Sequence, residues 1–160
     1  MKKIAILSDT HSGMLPPSLV RELAKVDFII HAGDIADPQA LKAIQAINRV
    51  EAVCGNMDDE TLRRQLPRRL ILECEKIRIG VIHGDGSPQH LVEGVQEEFA
   101  DDRVDIVIFG HSHEAFHEKI GKVVFFNPGA PNDDMFAPYC SYGLLEVNGK
   151  NFKLKIVKVK

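Results

Sequence analysis

The 160-residue chain is expected to fold as a single α/β domain, residues 1–160, built on two sheets. Three observations predict this. Short apolar runs alternate with helical patterns through the first two thirds of the chain. The last third carries strand patterns alone. No repeat, low-complexity tract or linker divides a length that suits one hydrophobic core.

The first strand is Ile4–Leu7, followed in the same style by Phe28–Ile30, Val50–Val53, Ile79–Ile82 and Asp105–Phe109. Between them, Pro17 to Lys25 places Leu19, Val20, Leu23 and Ala24 on one helical face. Asp37-Pro38 reads as an N-cap with proline in the first turn, and Leu41, Ala43, Ile44 and Ile47 continue that helix. Ser87-Pro88 repeats the device ahead of the stripe Leu91, Val92, Val95 and Phe99. Leu70–Cys74 adds a strand, and Lys122–Phe126, Tyr142–Val147 and Phe152–Val159 complete the set. Asn148-Gly149 is a hairpin signal between the last two.

Composition narrows the class. A chain that is 44% hydrophobic and 27% charged is an ordinary globular one. With 6% aromatics and no Trp, its core must come from Ile, Leu, Val and Ala. A net charge of −3 excludes a broadly basic surface, so stable nucleic-acid binding is not expected. Cys54, Cys74 and Cys140 show no CxxC spacing and suit a reducing compartment. Met1-Lys2-Lys3 imitates a signal start, but only Ile4 to Leu7 are apolar before Ser8 and Asp9. A signal core needs roughly 7–15 apolar residues and a membrane span about 20. The expected location is therefore the cytoplasm, with no membrane partner. Seven histidines are the unusual feature.

The polar residues that follow the strands carry the functional signal. Ile4–Leu7 runs into Ser8-Asp9-Thr10-His11, Phe28–Ile30 into Gly33-Asp34, and Val50–Val53 into Gly55-Asn56. Ile79–Ile82 ends at His83-Gly84, and Asp105–Phe109 at Gly110-His111-Ser112-His113. Parallel α/β sheets bind ligands beyond the carboxyl ends of their strands. These residues should therefore converge, with glycines admitting close backbone approach. Two Asp, one Asn and four His make an oxygen and imidazole set without thiolate. That disfavours structural zinc and is too nitrogen-rich for calcium or magnesium. Manganese, iron, zinc, nickel or cobalt would suit. Seven ligands exceed the needs of one tetrahedral ion, so two metals are expected, with Asp34 as the bridging carboxylate. Such a site suits phosphate-ester hydrolysis, in which a metal-bridging hydroxide attacks phosphorus.

The five blocks, in this order, resemble those of the calcineurin-like metallophosphoesterases. Asn127-Pro128-Gly129 and the strand at Ser141-Tyr142-Gly143 resemble its small YfcE-type phosphodiesterase branch. The resemblance implies a four-layer α-β-β-α sandwich of two mixed sheets flanked by helices. It implies one metal at Asp9, His11, Asp34 and His113, and another at Asp34, Asn56, His83 and His111. Asp34, Asn56 and His111 would also serve catalysis, and manganese is the metal the branch implies. The implied activity is that of a dinuclear phosphoric diester hydrolase acting on a small phosphodiester. A phosphomonoesterase or nucleotidase on the same site is the near alternative. A non-catalytic protein-binding scaffold, as in the retromer subunit that resembles this family, is the distant one. Association into a homo-oligomer stays open.

Two positions depart from the family pattern. Met57 stands where larger members have a His thought to protonate the leaving group, and a thioether cannot do so. Asp85 follows His83-Gly84 where the branch commonly has a second His. Among the remaining polar residues, His31 is expected to pack behind the site, and His90 and His117 to face solvent. Asp37 reads as a cap, Asn127 as a turn residue within reach of the site. Arg63, Arg64, Arg68 and Arg69 form a surface cluster.

Overall fold

A computed structural model describes residues 1–160. Its elements run β1 (Lys2–Leu7), α1 (Pro17–Leu23), β2 (Phe28–His31), α2 (Pro38–Gln45), β3 (Val50–Ala52), α3 (Glu60–Gln65) and β4 (Arg69–Cys74). They continue β5 (Ile77–Ile82), α4 (Leu91–Glu98), β6 (Ile106–Ile108), β7 (Phe116–Ile120), β8 (Val123–Asn127), β9 (Ser141–Asn148) and β10 (Asn151–Lys158). Two mixed five-stranded sheets result, ordered β10-β9-β1-β2-β3 and β4-β5-β6-β8-β7. β1, β2 and β3 are parallel, as are β5, β6 and β8; β9, β4 and β7 pair antiparallel with β1, β5 and β8, and β10 pairs antiparallel with β9.

The strand period of two sorts side chains between layers. Along β1, Ile4 and Ile6 enter the core between the sheets, where they meet Ile79, Ile106 and Phe126 of the second sheet. Ala5 and Leu7 point the other way, beneath Leu19 and Leu23 of α1, Leu41 and Ile44 of α2, and Leu62 of α3. On the far side, Val107 and Phe125 pack under Leu91 and Val95 of α4. Sheets covered on both faces need apolar residues on both, which is why the inner strands read as unbroken apolar runs. The four layers expected from the family resemblance are present.

Differences lie in elements with weak local signals. α4 starts at Leu91, three residues beyond Ser87-Pro88, and His90 offers it no side-chain cap. Ser87 instead closes a separate turn, its carbonyl accepting the His90 N–H at 3.1 Å. α3 was not anticipated, although Asp59 caps it by accepting the Leu62 N–H at 2.8 Å. β7 is a largely exposed edge strand whose sequence FHEKI offers only Phe116 and Ile120 to the core. The Asp37 cap is as expected, taking the Ala40 N–H at 2.8 Å. No helix is long and apolar enough to cross a membrane.

Ile6 is fully buried between the sheets. Ile6→Ala should lower unfolding free energy by about 2–5 kcal/mol, read from urea denaturation. A loss below about 1 kcal/mol would contradict a close-packed inter-sheet core.

Candidate metal centre

β1, β2 and β3 from one sheet, and β5 and β6 from the other, send their carboxyl-end loops to one place. Backbone hydrogen bonds stitch these loops together: the Asp9 N–H donates to the Gly33 carbonyl at 3.0 Å and the His11 N–H to the Asp34 carbonyl at 2.8 Å. The Gly110 N–H donates to the His83 carbonyl at 3.0 Å. Asp9, His11, Asp34, His111 and His113 all adopt left-handed backbone, with φ between 48° and 75°. Such conformations cost of order 1 kcal/mol or more each in residues other than glycine, and they concentrate at functional sites. Two glycines are sterically required. A Cβ on Gly55 would lie 2.2 Å from Asp34 Oδ1, and one on Gly110 would lie 1.9 Å from Ser8 Oγ.

Asp58 holds the frame. Its Oδ1 accepts the Ile35 and Ala36 N–H groups, both at 2.7 Å. Its Oδ2 accepts those of Gly55 at 2.7 Å and Asp34 at 3.2 Å. One buried carboxylate thereby joins the loops after β2 and β3. Asn127 does the same for the loop after β6, donating to the Gly110 carbonyl at 3.0 Å and Ser112 Oγ at 3.1 Å. Asn132 donates to the Thr10 carbonyl at 2.9 Å.

Asp9, fully buried, lies at the middle. Its Oδ2 accepts from Ser8 Oγ at 2.7 Å and from the His111 N–H at 3.1 Å. Its Oδ1 has no hydrogen-bond partner, and neither has His83 Nε2, 3.8 Å away. His83 Nδ1 donates to the Ala32 carbonyl at 2.7 Å, which turns Nε2 inward toward Asp9 and toward Asp34 Oδ2 at 3.2 Å. Burial alone would lower the His83 pKa, but the Asp34 and Asp9 carboxylates outweigh it and hold the ring above its ordinary value. Burial pushes Asp34 up, but His83 and the Met57 N–H, 2.8 Å from Oδ1, bring it below the usual carboxylate range.

His113 Nε2 lies 3.4 Å from Asp9 Oδ1 and 3.5 Å from His11 Nε2, while Nδ1 meets Asp133 Oδ2 at 2.5 Å. Asp9, with Asp133 behind it, raises the His113 pKa to about 9. The donor atoms thus form two groups, Asp9/His11/His113 and Asp9/Asp34/His83, each within 4.8 Å. Asp9 is the carboxylate common to both, whereas Asp34 joins only the second. His111 stands beside that second group, its ring centroid 5.4 Å from that of His83 and its Nδ1 3.2 Å from Asn56 Oδ1. All seven residues singled out from the sequence therefore lie within one cluster. Two orphaned buried donor atoms in an imidazole and carboxylate set fit divalent transition-metal ions.

The other polar residues fall into place. His31 Nδ1 accepts the Gly33 N–H at 3.2 Å, so Nε2 carries the proton and donates to Thr10 Oγ1 at 2.9 Å. Full burial pushes its pKa down to about 3. Arg68 and Arg69 are paired to Glu98 and Asp102, and Arg64 to Glu60. Asp85 lines a small recess with Arg68, Asn56 and His83. Asp58 and Asp133 were not singled out from the sequence. An Asp two residues before a helical stretch is too common a signal, and Asp133 sits in a loop without periodicity.

Residues 1–150 match the calcineurin-like phosphoesterase superfamily domain. The chain belongs to that superfamily. A "Probable metallophosphoesterase" of Methanocaldococcus jannaschii is 37% identical over 136 residues, 80% of this chain and 67% of that protein. Phosphodiesterase YfcE of Escherichia coli is 26% identical, covering 91% of this chain and 88% of that one. Vacuolar Protein Sorting 29 of Cryptosporidium parvum superposes with a TM-score of 0.80 at 20% identity, over 99% of this chain and 92% of that one. The last likeness concerns the fold alone. Superfamily membership makes this chain a phosphoesterase relative, and its imidazole and carboxylate cluster could hold metal ions.

Asp58→Ala leaves three buried N–H groups and the half-buried one of Ala36 without an acceptor, and unfolding free energy should fall by about 3 kcal/mol or more. Asp58→Asn turns an amide donor toward two of them and should fall between the variant and the native chain. Urea unfolding of the metal-free protein checks the order. His31→Gln probes the second buried group. A histidine held neutral in the fold contributes stability above pH 6.5 that is lost as pH falls toward about 3. The glutamine variant should lose that part of the slope, and parallel stability curves for the two proteins would contradict it.

Proposed function

We propose that the chain is a dinuclear, divalent-metal-dependent phosphodiesterase. The observation that carries this is the pair of donor groups sharing Asp9, with Asp9 Oδ1 and His83 Nε2 buried and unpartnered. Asp9, His11, Asp34, Asn56, His83, His111 and His113 would hold the metals, manganese first, with nickel, cobalt, zinc or iron as alternatives. Ions there would lower the pKa of water toward about 7 and neutralise developing charge on phosphoryl oxygens.

The chain supplies the rest. Asp58 and the Met57 N–H fix Asp34 in position. The Ala32 carbonyl fixes the His83 tautomer, leaving Nε2 free to ligate. Asn56 and His111, in contact with each other beside the second donor group, would orient the phosphoryl group. Met57 has no proton to give, so diesters whose leaving group departs as a stabilised anion are favoured. Three free thiols suit a reducing compartment, and we place the protein in the cytoplasm.

Asp34→Ala tests this with bis(p-nitrophenyl) phosphate and metal analysis on one sample. Loss of bound metal with a turnover loss beyond about 100-fold is expected, more than removal of an outer partner causes. Full occupancy with unchanged turnover would refute it. A faster reaction with monoesters would favour the monoesterase reading instead. A metal-free, inactive native chain that retains a specific protein partner would favour the scaffold.

A further inference from the structure

The chain exposes few large apolar side chains, and they are not scattered. Apart from Met1 and Tyr139, they are Met14, Met57, Met135 and Phe136, on the loops after β1, β3 and β8 that surround the metal centre. Met57 is 62% exposed and Phe136 78%. Both line a cleft of about 430 Å³ that has Asp9, His11 and His113 in its wall. That volume lies in the range of small-molecule sites. The backbone ties both residues to candidate ligands. The Met57 N–H holds Asp34 Oδ1 at 2.8 Å. The Phe136 N–H donates to Asp133 Oδ1 at 2.9 Å, and Oδ2 of that carboxylate meets His113. Each apolar side chain thus stands at a set place relative to where a phosphoryl group would react.

Charge points the same way. No Lys or Arg lines this cleft, and Asp133 does. Arg68, in the recess on the Asn56 side, is engaged by Glu98 through its two terminal guanidinium nitrogens. Beyond the candidate ligands His11 and His113, a second phosphate on the substrate would find a carboxylate and no Lys or Arg. Apolar surface also continues past the loop after β1, where Thr10, His11 and Gly13 form one side of a pocket of about 310 Å³ completed by Met14, Leu15 and Ile44 among others.

Resting on the phosphodiesterase reading, we infer that the cleft selects phosphodiesters whose retained ester arm is aromatic or apolar, held by Met57 and Phe136. A polyphosphorylated arm is disfavoured. Met57, which cannot act as an acid, thereby gains a role in specificity.

The test uses manganese-loaded protein and three diesters with a common p-nitrophenyl leaving group. Their retained arms are methyl, phenyl and phosphoethyl. The native chain should show a KM for the phenyl arm about tenfold below that for methyl, with the phosphoethyl arm weakest. Phe136→Ala and Met57→Ala should each shrink the phenyl-to-methyl advantage about threefold, and Phe136→Leu should shrink it less. Calorimetry with methyl phenylphosphonate against methyl methylphosphonate gives the same comparison without turnover. A native chain that prefers the phosphoethyl arm, or an advantage that neither substitution alters, would overturn the inference. So would a native dimer that dissociates on Phe136→Ala, since the surface would then serve a second copy of the chain. Turnover without arm preference sinks this inference alone. Phosphonate preference lost in Phe136→Ala, without turnover of any diester, supports the arm site and sinks the phosphodiesterase reading.

Discussion

A carboxylate with no exposed surface is costly unless its environment supplies positive charge and donors. Asp9 is in that position, and much of the site answers to it. It stands at the end of β1 in one sheet, yet its Oδ2 takes the His111 N–H from the other. Its Oδ1 faces His83 and His113, which also belong to the second sheet's loops. Asp9 is thus one of the groups through which the two sheets meet at this end, with Asp34 and the Ala32 carbonyl against His83 as others. Asp34 and Asp9 raise the His83 pKa, Asp9 and Asp133 that of His113, and a divalent cation would meet the same demand for positive charge more fully than a proton.

Asp58 plays the complementary part. A carboxylate accepting four backbone N–H groups needs no cation to be stable, and it spends its charge on geometry. Asp9 keeps one oxygen unsatisfied, whereas Asp58 keeps none. The contrast separates a carboxylate with an oxygen left free from one whose hydrogen bonds hold the loops together, although both are buried aspartates near a strand end.

The layers and the convergence of Asp9, Asp34, Asn56, His83 and His111 were legible because strand periodicity and the polar residue after each strand are local signals. The roles of Asp58 and Asp133 were not, since each depends on which backbone N–H or ring nitrogen the fold brings near. Nor was the left-handed backbone at Asp9, His11, Asp34, His111 and His113, which only the loop hydrogen bonds impose. Asp34 reads from sequence as the natural bridge; in the structure Asp9 is the carboxylate that both donor groups contain, and the Met57 N–H donates to Asp34 Oδ1. Ser87-Pro88 misplaced a helix start because its turn closes on His90 before the helix begins. The net charge of −3 likewise says nothing of a local cluster of four histidines around two buried aspartates. Fold alone is a weaker guide, because the same layers serve proteins of different function.

The central claim is that two donor groups sharing Asp9 each take a divalent ion. Anomalous X-ray diffraction from crystals grown with manganese, recorded at its absorption edge, tests it most directly. Two peaks are predicted, one in the Asp9/His11/His113 group and one in the Asp9/Asp34/His83 group, with Asp9 in contact with both. A single peak, or peaks elsewhere on the surface with this cluster empty, would contradict the account.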